Sequence, residues 1–169
     1  KMTLGVKKII SFILILAFVT PYTIFATEKE KEVDKYSLSS ILIDQDTNRV
    51  LYAKNPDEKR PLASLSKMMT FLIAIEAIEN KQVSPKDKIK ITKKIASVKG
   101  SSYHLKENEE VELIELMKGL MIVSGNDAAI AIATHIGKSP EQFVKIMNKK
   151  AKDIGMSNTP FVNPHGLPI

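Results

Sequence analysis

The sequence predicts an α/β (α+β) fold in which a β-hairpin is followed by a run of helices. Two short apolar runs at 41–43 and 50–53 flank a polar cluster, which is typical of a hairpin. Later apolar positions recur at helical spacing. The chain has 169 residues, of which 44% are hydrophobic and 26% are charged. This composition fits one ordinary globular domain rather than a disordered chain.

The first 26 residues have the composition of a secretory signal peptide. Three lysines flank the start of a mostly apolar run at 9–19, and a break at 20–22 separates that run from the small residue Ala26. This order is typical of an export signal. A permanent membrane anchor, the alternative, needs about 18–20 mainly apolar residues, which the break interrupts. We therefore expect an exported, extracytoplasmic protein of the cell envelope.

The chain contains no cysteine and carries a net charge of +6. An exported domain without cysteine must be held together by its core alone, because it cannot form disulfides. The chain has no tryptophan and four tyrosines, and its lysines are not clustered with aromatic residues. Nothing in this pattern indicates nucleic-acid binding.

Charge and apolar spacing divide the rest of the chain. Residues 27–38 are mostly charged and predict a flexible leader, so we expect the folded domain to span 39–169. The polar cluster at 44–49 predicts the turn of the hairpin.

The helical part begins near Ser64, just after Pro61, with apolar positions that fit a helix buried over most of its surface. Residues 81–92 predict a loop with a short strand. Beyond them the pattern predicts two helices within 108–137, separated at 124–126, and a last helix at 141–154 that ends before a glycine.

Ser64 and Lys67 are the strongest candidates for chemistry. Residues three apart lie on the same face of a helix, so their polar ends should be within reach of each other. An amine in an apolar pocket loses its proton more readily and can then accept the proton of a serine hydroxyl. The first N–H groups of a helix also lack partners, so Ser64 could contribute to an oxyanion hole.

A structural interpretation of the same residues stays open. In a lysine-rich chain Ser-x-x-Lys occurs by chance, so Ser64 could be a helix N-cap and Lys67 a solvated charge. A lysine in the first turn opposes the helix dipole, however, and two methionines follow it directly. Catalysis and capping therefore both remain interpretations of the spacing alone.

Ser124, Gly125 and Asn126 form a second polar element between two apolar helices. Gly125 permits an unusual backbone turn, a serine can pass on a proton, and an asparagine amide can both donate and accept. Helix caps are the structural alternative for these residues.

Ser-x-x-Lys followed by Ser-x-Asn is the motif pair of penicillin-binding proteins and class A β-lactamases. Within that superfamily the chain resembles the serine-type D-alanyl-D-alanine carboxypeptidases, the low-molecular-weight penicillin-binding proteins. The resemblance is carried by ILIDQDTNRVLYAKNPDEKRPLASLSKMMT, GSS, LMKGLMIVSGNDAAIAIA and FVNPHGL, which are spread from Ser39 to Leu167.

The resemblance implies a transpeptidase-like fold with helices on a mostly antiparallel sheet. It also implies that Ser64 is the acylated nucleophile, Lys67 its general base and Ser124 the relay that protonates the departing amine. Asn126 would bind the backbone amide of the substrate. His165 would belong to a structural segment, since the lysine already supplies the base.

The implied function is removal of the terminal D-alanine from peptidoglycan stem peptides through an acyl-enzyme, with a part in cell-wall synthesis and cell shape. β-Lactam antibiotics would bind covalently at the same serine. The resemblance implies no metal and no cofactor. It leaves open a peripheral membrane association through a C-terminal segment outside these residues, as in many relatives.

Two alternatives differ in chemistry. A class A β-lactamase uses a glutamate within Glu-x-x-Leu-Asn to activate water, and the glutamate that follows Ser-x-Asn here, Glu141, lies in EQFVK. An envelope module that keeps the fold without the chemistry is the second alternative, and the intact Ser64, Lys67 and Ser124 disfavour it.

The family's third motif, Lys-Thr-Gly or Lys-Ser-Gly on a later strand, is not among these residues, so we expect a partial catalytic domain whose C-terminal strands are missing. Loss of one oxyanion donor costs about 10²–10³ in rate, and a lone hairpin is marginally stable.

Residues 27–169 expressed alone should therefore release no D-alanine from a D-Ala-D-Ala peptide and should unfold with little cooperativity in urea. A soluble, active monomer would contradict this prediction.

Overall fold

A computed structural model describes residues 34–168. Contacts divide the chain into two compact units with a boundary between Glu58 and Lys59. The predicted signal peptide at 1–26 and most of the predicted leader at 27–38 lie outside the described residues. Within 34–168, no helix combines the length and the apolar character that a bilayer crossing requires.

The first unit contains the predicted hairpin. Strands β1 (Ser40–Ile43) and β2 (Val50–Lys54) pair antiparallel, with one irregularity in their register. In the turn, Asp44 Oδ1 accepts a hydrogen bond from Thr47 N at 2.9 Å. The aspartate side chain thereby satisfies a backbone N–H that no strand partner reaches, which is why this polar cluster reverses the chain.

The second unit is mainly helical and holds a second antiparallel strand pair. In chain order its elements are a 3-10 turn (Ala63–Leu65), α1 (Ser66–Glu79), β3 (Lys88–Lys90), α2 (Lys93–Ala96), β4 (Glu110–Glu112), α3 (Leu113–Ile122), α4 (Asn126–Gly137) and α5 (Pro140–Asp153). The predicted combination of helices and antiparallel strands is confirmed, and the described strands form two separate two-stranded sheets.

Helix α4 is the hub of the second unit and contacts α1, α3 and α5. Four of its alanines are fully buried: Ala128, Ala129, Ala131 and Ala133. Their small side chains let neighbouring helices approach closely without voids. One apolar cluster joins Ile132 to Leu116 of α3, and another joins Ala133 to Phe143 of α5. The two helices that flank 124–126 are therefore fixed by packing.

Helix α5 begins at Pro140, one residue earlier than the sequence predicts, and ends at Asp153. Ser139 caps it by accepting a hydrogen bond from Gln142 N at 3.1 Å. Proline suits the first turn because its missing N–H would have no helical partner there. The predicted stop is close, since Gly155 follows with a φ of 84°.

Strand β4 and helix α2 are absent from the sequence prediction because each is too short to show a period. Strand β4 pairs with β3, so that Lys88 lies opposite Glu112 and Lys90 opposite Glu110. Opposite charges on facing positions stabilise such a pair modestly. Helix α2 is held by its cap, Thr92, whose side chain accepts a hydrogen bond from Ile95 N at 3.3 Å.

Candidate active site

Ser64 lies in the middle of the 3-10 turn rather than at the first position of the following α-helix. The cap positions are Leu62 for the turn and Leu65 for α1, and neither makes a side-chain capping bond. The interpretation of Ser64 as an N-cap is therefore wrong. Ala63, directly before it, has a φ of 47°, a left-handed conformation that is costly for a residue with a Cβ.

Lys67 is buried at the head of α1, with 3% of its surface exposed. Its Nζ donates hydrogen bonds to Ser64 Oγ at 3.0 Å and to the main-chain carbonyl of His165 at 2.9 Å. The predicted contact between Ser64 and Lys67 is thus present. Among the described residues no carboxylate forms an ion pair with Lys67, so no fixed anion favours its charged form.

Burial lowers the pKa of Lys67 below the ordinary lysine value of 10.5, because an ammonium loses hydration in an apolar site. A larger share of Lys67 is consequently neutral near pH 7 than of an exposed lysine. A neutral amine 3.0 Å from a hydroxyl can take its proton. The pair has the geometry of a nucleophile with its base.

The segment 163–167 closes the head of α1. Thr70 Oγ1 donates to Pro164 O at 2.7 Å, and Asn163 Oδ1 accepts from Gly166 N at 2.6 Å. These bonds aim the His165 carbonyl at Lys67. Burial lowers the pKa of His165 itself, and the positive charge of Lys67 lowers it further. The segment that contains His165 therefore supplies a main-chain hydrogen-bond acceptor to Lys67.

The second motif forms the turn between α3 and α4. Ser124 has a φ of 57°, so this motif, like the first, contains a left-handed non-glycine residue. Asn126, which is 2% exposed, donates from its backbone N to Ser101 O at 2.7 Å and from Nδ2 to Lys99 O at 2.8 Å. In the described part of the chain, no hydrogen bond joins Ser124 to Ser64 or Lys67.

Gly100 lies close to Asn126 of the second motif and to Leu167 of the segment 163–167. A Cβ added there would lie 2.6 Å from Asn126 Nδ2 and 3.6 Å from a side-chain carbon of Leu167. Leu167 belongs to the segment that holds Lys67, and Asn126 belongs to the second motif. Gly100, the first residue of the GSS stretch at 100–102, therefore lies between Asn126 and Leu167. Glycine is required at this position because its φ is 90° and because there is no room for a Cβ.

The sequence prediction singles out neither the His165 carbonyl nor Asp127. The carbonyl of His165 is a main-chain atom, so residue type carries no signal for it. Asp127 is a buried acid, 1% exposed, in the first turn of an apolar helix. That placement is a usable signal, because an acid at such a position needs several donors. Residues 34–168 contain no cluster of three or more acidic or histidine side chains able to hold a metal ion.

Residues 25–168 match the family model described as D-alanyl-D-alanine carboxypeptidase. The chain belongs to this family. It is 40% identical over 166 residues to the D-alanyl-D-alanine carboxypeptidase DacF of Bacillus subtilis (strain 168), which covers 95% of this chain and 43% of that protein. The chain thus spans less than half the length of that relative.

Solved structures of the carboxypeptidase family share this fold. The D-alanyl-D-alanine carboxypeptidase DacD of Francisella tularensis superposes with a TM-score of 0.78 at 38% identity, over 82% of this chain and 33% of that one. Penicillin binding protein 5 of Haemophilus influenzae gives 0.76 at 34% identity, over 79% and 40%. The penicillin-binding fold inferred from the motifs is confirmed.

Gly166 offers a test of the segment that holds Lys67. Its φ is 86°, and an added Cβ would collide with the Ala63 carbonyl. In the complete protein, Gly166→Ala should lower the free energy of unfolding by about 2–5 kcal/mol, combining left-handed strain of about 1–2 with overpacking of about 1–3. Urea denaturation measures the loss.

Gly155→Ala is the matched control for this change. Gly155 has a φ of 84° but no atom within 4 Å of its added Cβ, so it should lose only the strain of about 1–2 kcal/mol. Equal losses in the two variants would show that the Gly166 contact contributes nothing.

Proposed function

We propose that the complete protein is a serine-type D-Ala-D-Ala carboxypeptidase that removes the terminal D-alanine from peptidoglycan stem peptides through an acyl-enzyme on Ser64. The observation that carries the proposal is the buried Lys67 amine, 3.0 Å from Ser64 Oγ and without an ion-pair partner among the described residues. Membership of the carboxypeptidase family supports the same reaction.

Acylation begins when the neutral Lys67 amine accepts the hydroxyl proton of Ser64. The serine oxygen attacks the carbonyl carbon of the penultimate D-alanine, and the peptide C–N bond breaks as the tetrahedral intermediate collapses. The proton that Lys67 accepted passes through the Ser124 hydroxyl to the departing nitrogen, so that free D-alanine leaves and Lys67 is neutral again. The product is an ester between Ser64 and the shortened stem peptide.

Deacylation regenerates the serine. Lys67 accepts a proton from water, the resulting hydroxide attacks the ester carbonyl, and the proton returns to the leaving Ser64 oxygen. Asn126 would hold the substrate backbone during both steps. Its Nδ2 is engaged with Lys99, whereas its Oδ1 accepts no hydrogen bond from the described residues. That oxygen is free to accept an amide N–H of the substrate.

β-Lactams fit the same chemistry. Attack of Ser64 on the lactam carbonyl breaks the ring C–N bond, and the leaving nitrogen stays attached to the acyl group, so nothing departs. A structural neighbour of this chain is named penicillin binding protein 5. We extend covalent penicillin binding to the complete protein.

We also propose that the complete protein is exported by the signal at 1–26 and acts outside the cytoplasm at the cell wall. A C-terminal segment would provide peripheral membrane association.

The two alternatives gain no support from the site. Glu141 is exposed in the first turn of α5, where a backbone hydrogen bond and the Ser139 hydroxyl lower its pKa. Within 34–168 it makes no hydrogen bond to Ser64 or Lys67. A module without chemistry would be more stable with an apolar residue at 67, because burying an amine is costly.

The nucleophile can be tested by covalent labelling of the complete protein with a fluorescent penicillin. Ser64→Ala should abolish labelling while leaving α1 folded, because Ser64 makes no capping bond and Lys67 keeps its hydrogen bond to the His165 carbonyl. Ser97→Ala, at an exposed serine, should label like the wild type. Labelling that survives Ser64→Ala would remove Ser64 as the nucleophile.

The base can be tested through the pH dependence of acylation. The rate should rise with pH as Lys67 loses its proton and should level off below 10.5, because burial lowers the pKa of this amine. Lys67→Arg cannot deprotonate, so acylation should fall by about 10²–10⁴ and lose that pH dependence. Stopped-flow measurement with a chromogenic penicillin gives the rate.

Lys93→Arg is the matched control, since Lys93 is exposed. It should retain the rate and the pH profile of the wild type. A near-normal rate in Lys67→Arg would make Lys67 an electrostatic or structural residue.

A further inference from the structure

Asp127 has a buried carboxylate that the proposed chemistry does not use. It is 1% exposed, and both of its oxygens accept hydrogen bonds from several donors. The donors are Ser102 Oγ at 2.8 Å, Tyr103 N at 2.8 and 3.1 Å, Leu105 N at 3.1 Å and Ala128 N at 2.9 Å. Three of these donor residues belong to one segment, 99–105.

The hydrogen bonds of Asp127 determine its charge state. Burial alone would raise the pKa of the carboxyl, but the N–H groups of Tyr103 and Leu105 and the Ser102 hydroxyl outweigh it and lower the pKa. The side chain is consequently an anion at neutral pH. Within 34–168 it joins no ion pair. The negative charge of the Asp127 carboxylate therefore strengthens its hydrogen bonds to the backbone N–H groups of 99–105.

The same segment also holds the second motif. Ser101 O and Lys99 O accept the two hydrogen bonds that orient Asn126. Gly100, between them, has no space for a Cβ against the Asn126 amide. Asn126 and Asp127 are consecutive at the start of α4. The Asp127 carboxylate accepts hydrogen bonds from the segment 99–105, and two carbonyls of that segment accept hydrogen bonds from Asn126.

Apart from Asp127, this segment is held mainly by apolar packing, since Leu105 is 7% exposed and belongs to the apolar cluster that includes Ile132. Residues 99–105 have no helix or strand, so no ladder of backbone bonds holds them. His104 is left-handed with a φ of 61° and donates its N–H to Ser102 Oγ at 2.9 Å. Tyr103 packs its ring against Gly119 of α3. The carboxylate of Asp127 is the charged anchor between this irregular backbone and α4.

We infer that Asp127 is a positioning residue, whose carboxylate holds the segment 99–105 and thereby the Ser124–Asn126 turn in the geometry that the reaction needs. The inference rests on the proposed function for its kinetic consequence. Asp127 touches no reacting atom in this assignment. It acts through Ser101 and Lys99, whose carbonyls fix Asn126.

The experiment uses the complete protein with Asp127→Asn. The amide keeps the size of the side chain but points an NH₂ group at N–H donors, which loosens the segment. The second-order rate constant for acylation by a chromogenic penicillin should fall by about 10–100-fold, since small misplacements of catalytic groups have costs of this size. The fraction of protein labelled at completion should stay at the wild-type level, because Ser64 and Lys67 are held elsewhere.

Rate constant and labelled fraction separate positioning from mere destabilisation. Global unfolding lowers the fraction of competent molecules, whereas displacement of the turn slows every folded molecule. Asp87→Asn is the matched control, because Asp87 also accepts a backbone hydrogen bond, from Ser84 N at 3.0 Å, and pairs with His135 at 3.0 Å. It should keep the wild-type rate constant.

Hydrogen exchange adds a readout that does not depend on activity. The amides of Tyr103, Leu105 and Asn126 should exchange faster in Asp127→Asn than in the wild type. In Asp87→Asn their exchange rates should equal those of the wild type. If Asp127→Asn does not fold, Ser102→Ala decides the question. That variant removes one donor of the carboxylate, and a several-fold slower acylation with full labelling supports the inference.

The outcomes are distinguishable. A wild-type rate constant in Asp127→Asn, or in Ser102→Ala where that variant decides, overturns the positioning role. A slow variant whose labelled fraction falls in proportion also overturns it. If the wild type itself does not label, the proposed function is wrong, and the exchange of the Asn126 amide then supports or overturns the hold of Asp127 on the turn.

Discussion

The burial of the Lys67 amine is the constraint on which the rest of the site depends. An amine withdrawn from water needs partners, and it has two, Ser64 Oγ and the His165 carbonyl. Two hydrogen bonds without an anion leave the charged form poorly solvated, so the neutral form gains. The carbonyl comes from 98 residues further along the chain. This hydrogen bond therefore depends on the tertiary fold, which brings the segment 163–167 to the head of α1.

Backbone strain accompanies both motifs. Ala63 and Ser124 are left-handed, with φ values of 47° and 57°, and each such residue costs about 1–2 kcal/mol. Strained conformations persist where the surroundings over-determine them. Gly166 packs on the Ala63 carbonyl, and the Asn126 N–H is held by Ser101 O. Strain at the motifs and long-range contacts at the supports are thus two aspects of one arrangement.

The sequence predicts what periodicity and spacing determine. Apolar runs predict the hairpin and the long helices, and the three-residue spacing predicts the Ser64–Lys67 contact. It cannot predict the 3-10 turn, because the turn begins at Ala63, which is left-handed although alanine rarely adopts that conformation. Nor can it predict the His165 carbonyl, since every residue has a carbonyl and only the tertiary fold selects one. Strand β4 is too short to show alternation.

Lys67 and Asp127 show how the number of partners decides the role of a buried charge. Both are almost fully enclosed, at 3% and 1% exposure. Asp127 has donors on both oxygens and is held as an anion, which makes it an anchor. Lys67 has two hydrogen-bond acceptors, and burial lowers its pKa, which favours the neutral amine relative to an exposed lysine. A fully satisfied charge stabilises a fixed geometry, whereas an under-satisfied one exchanges its proton. The proposed reaction uses both, the amine of Lys67 as the base and the turn held by Asp127 for the substrate.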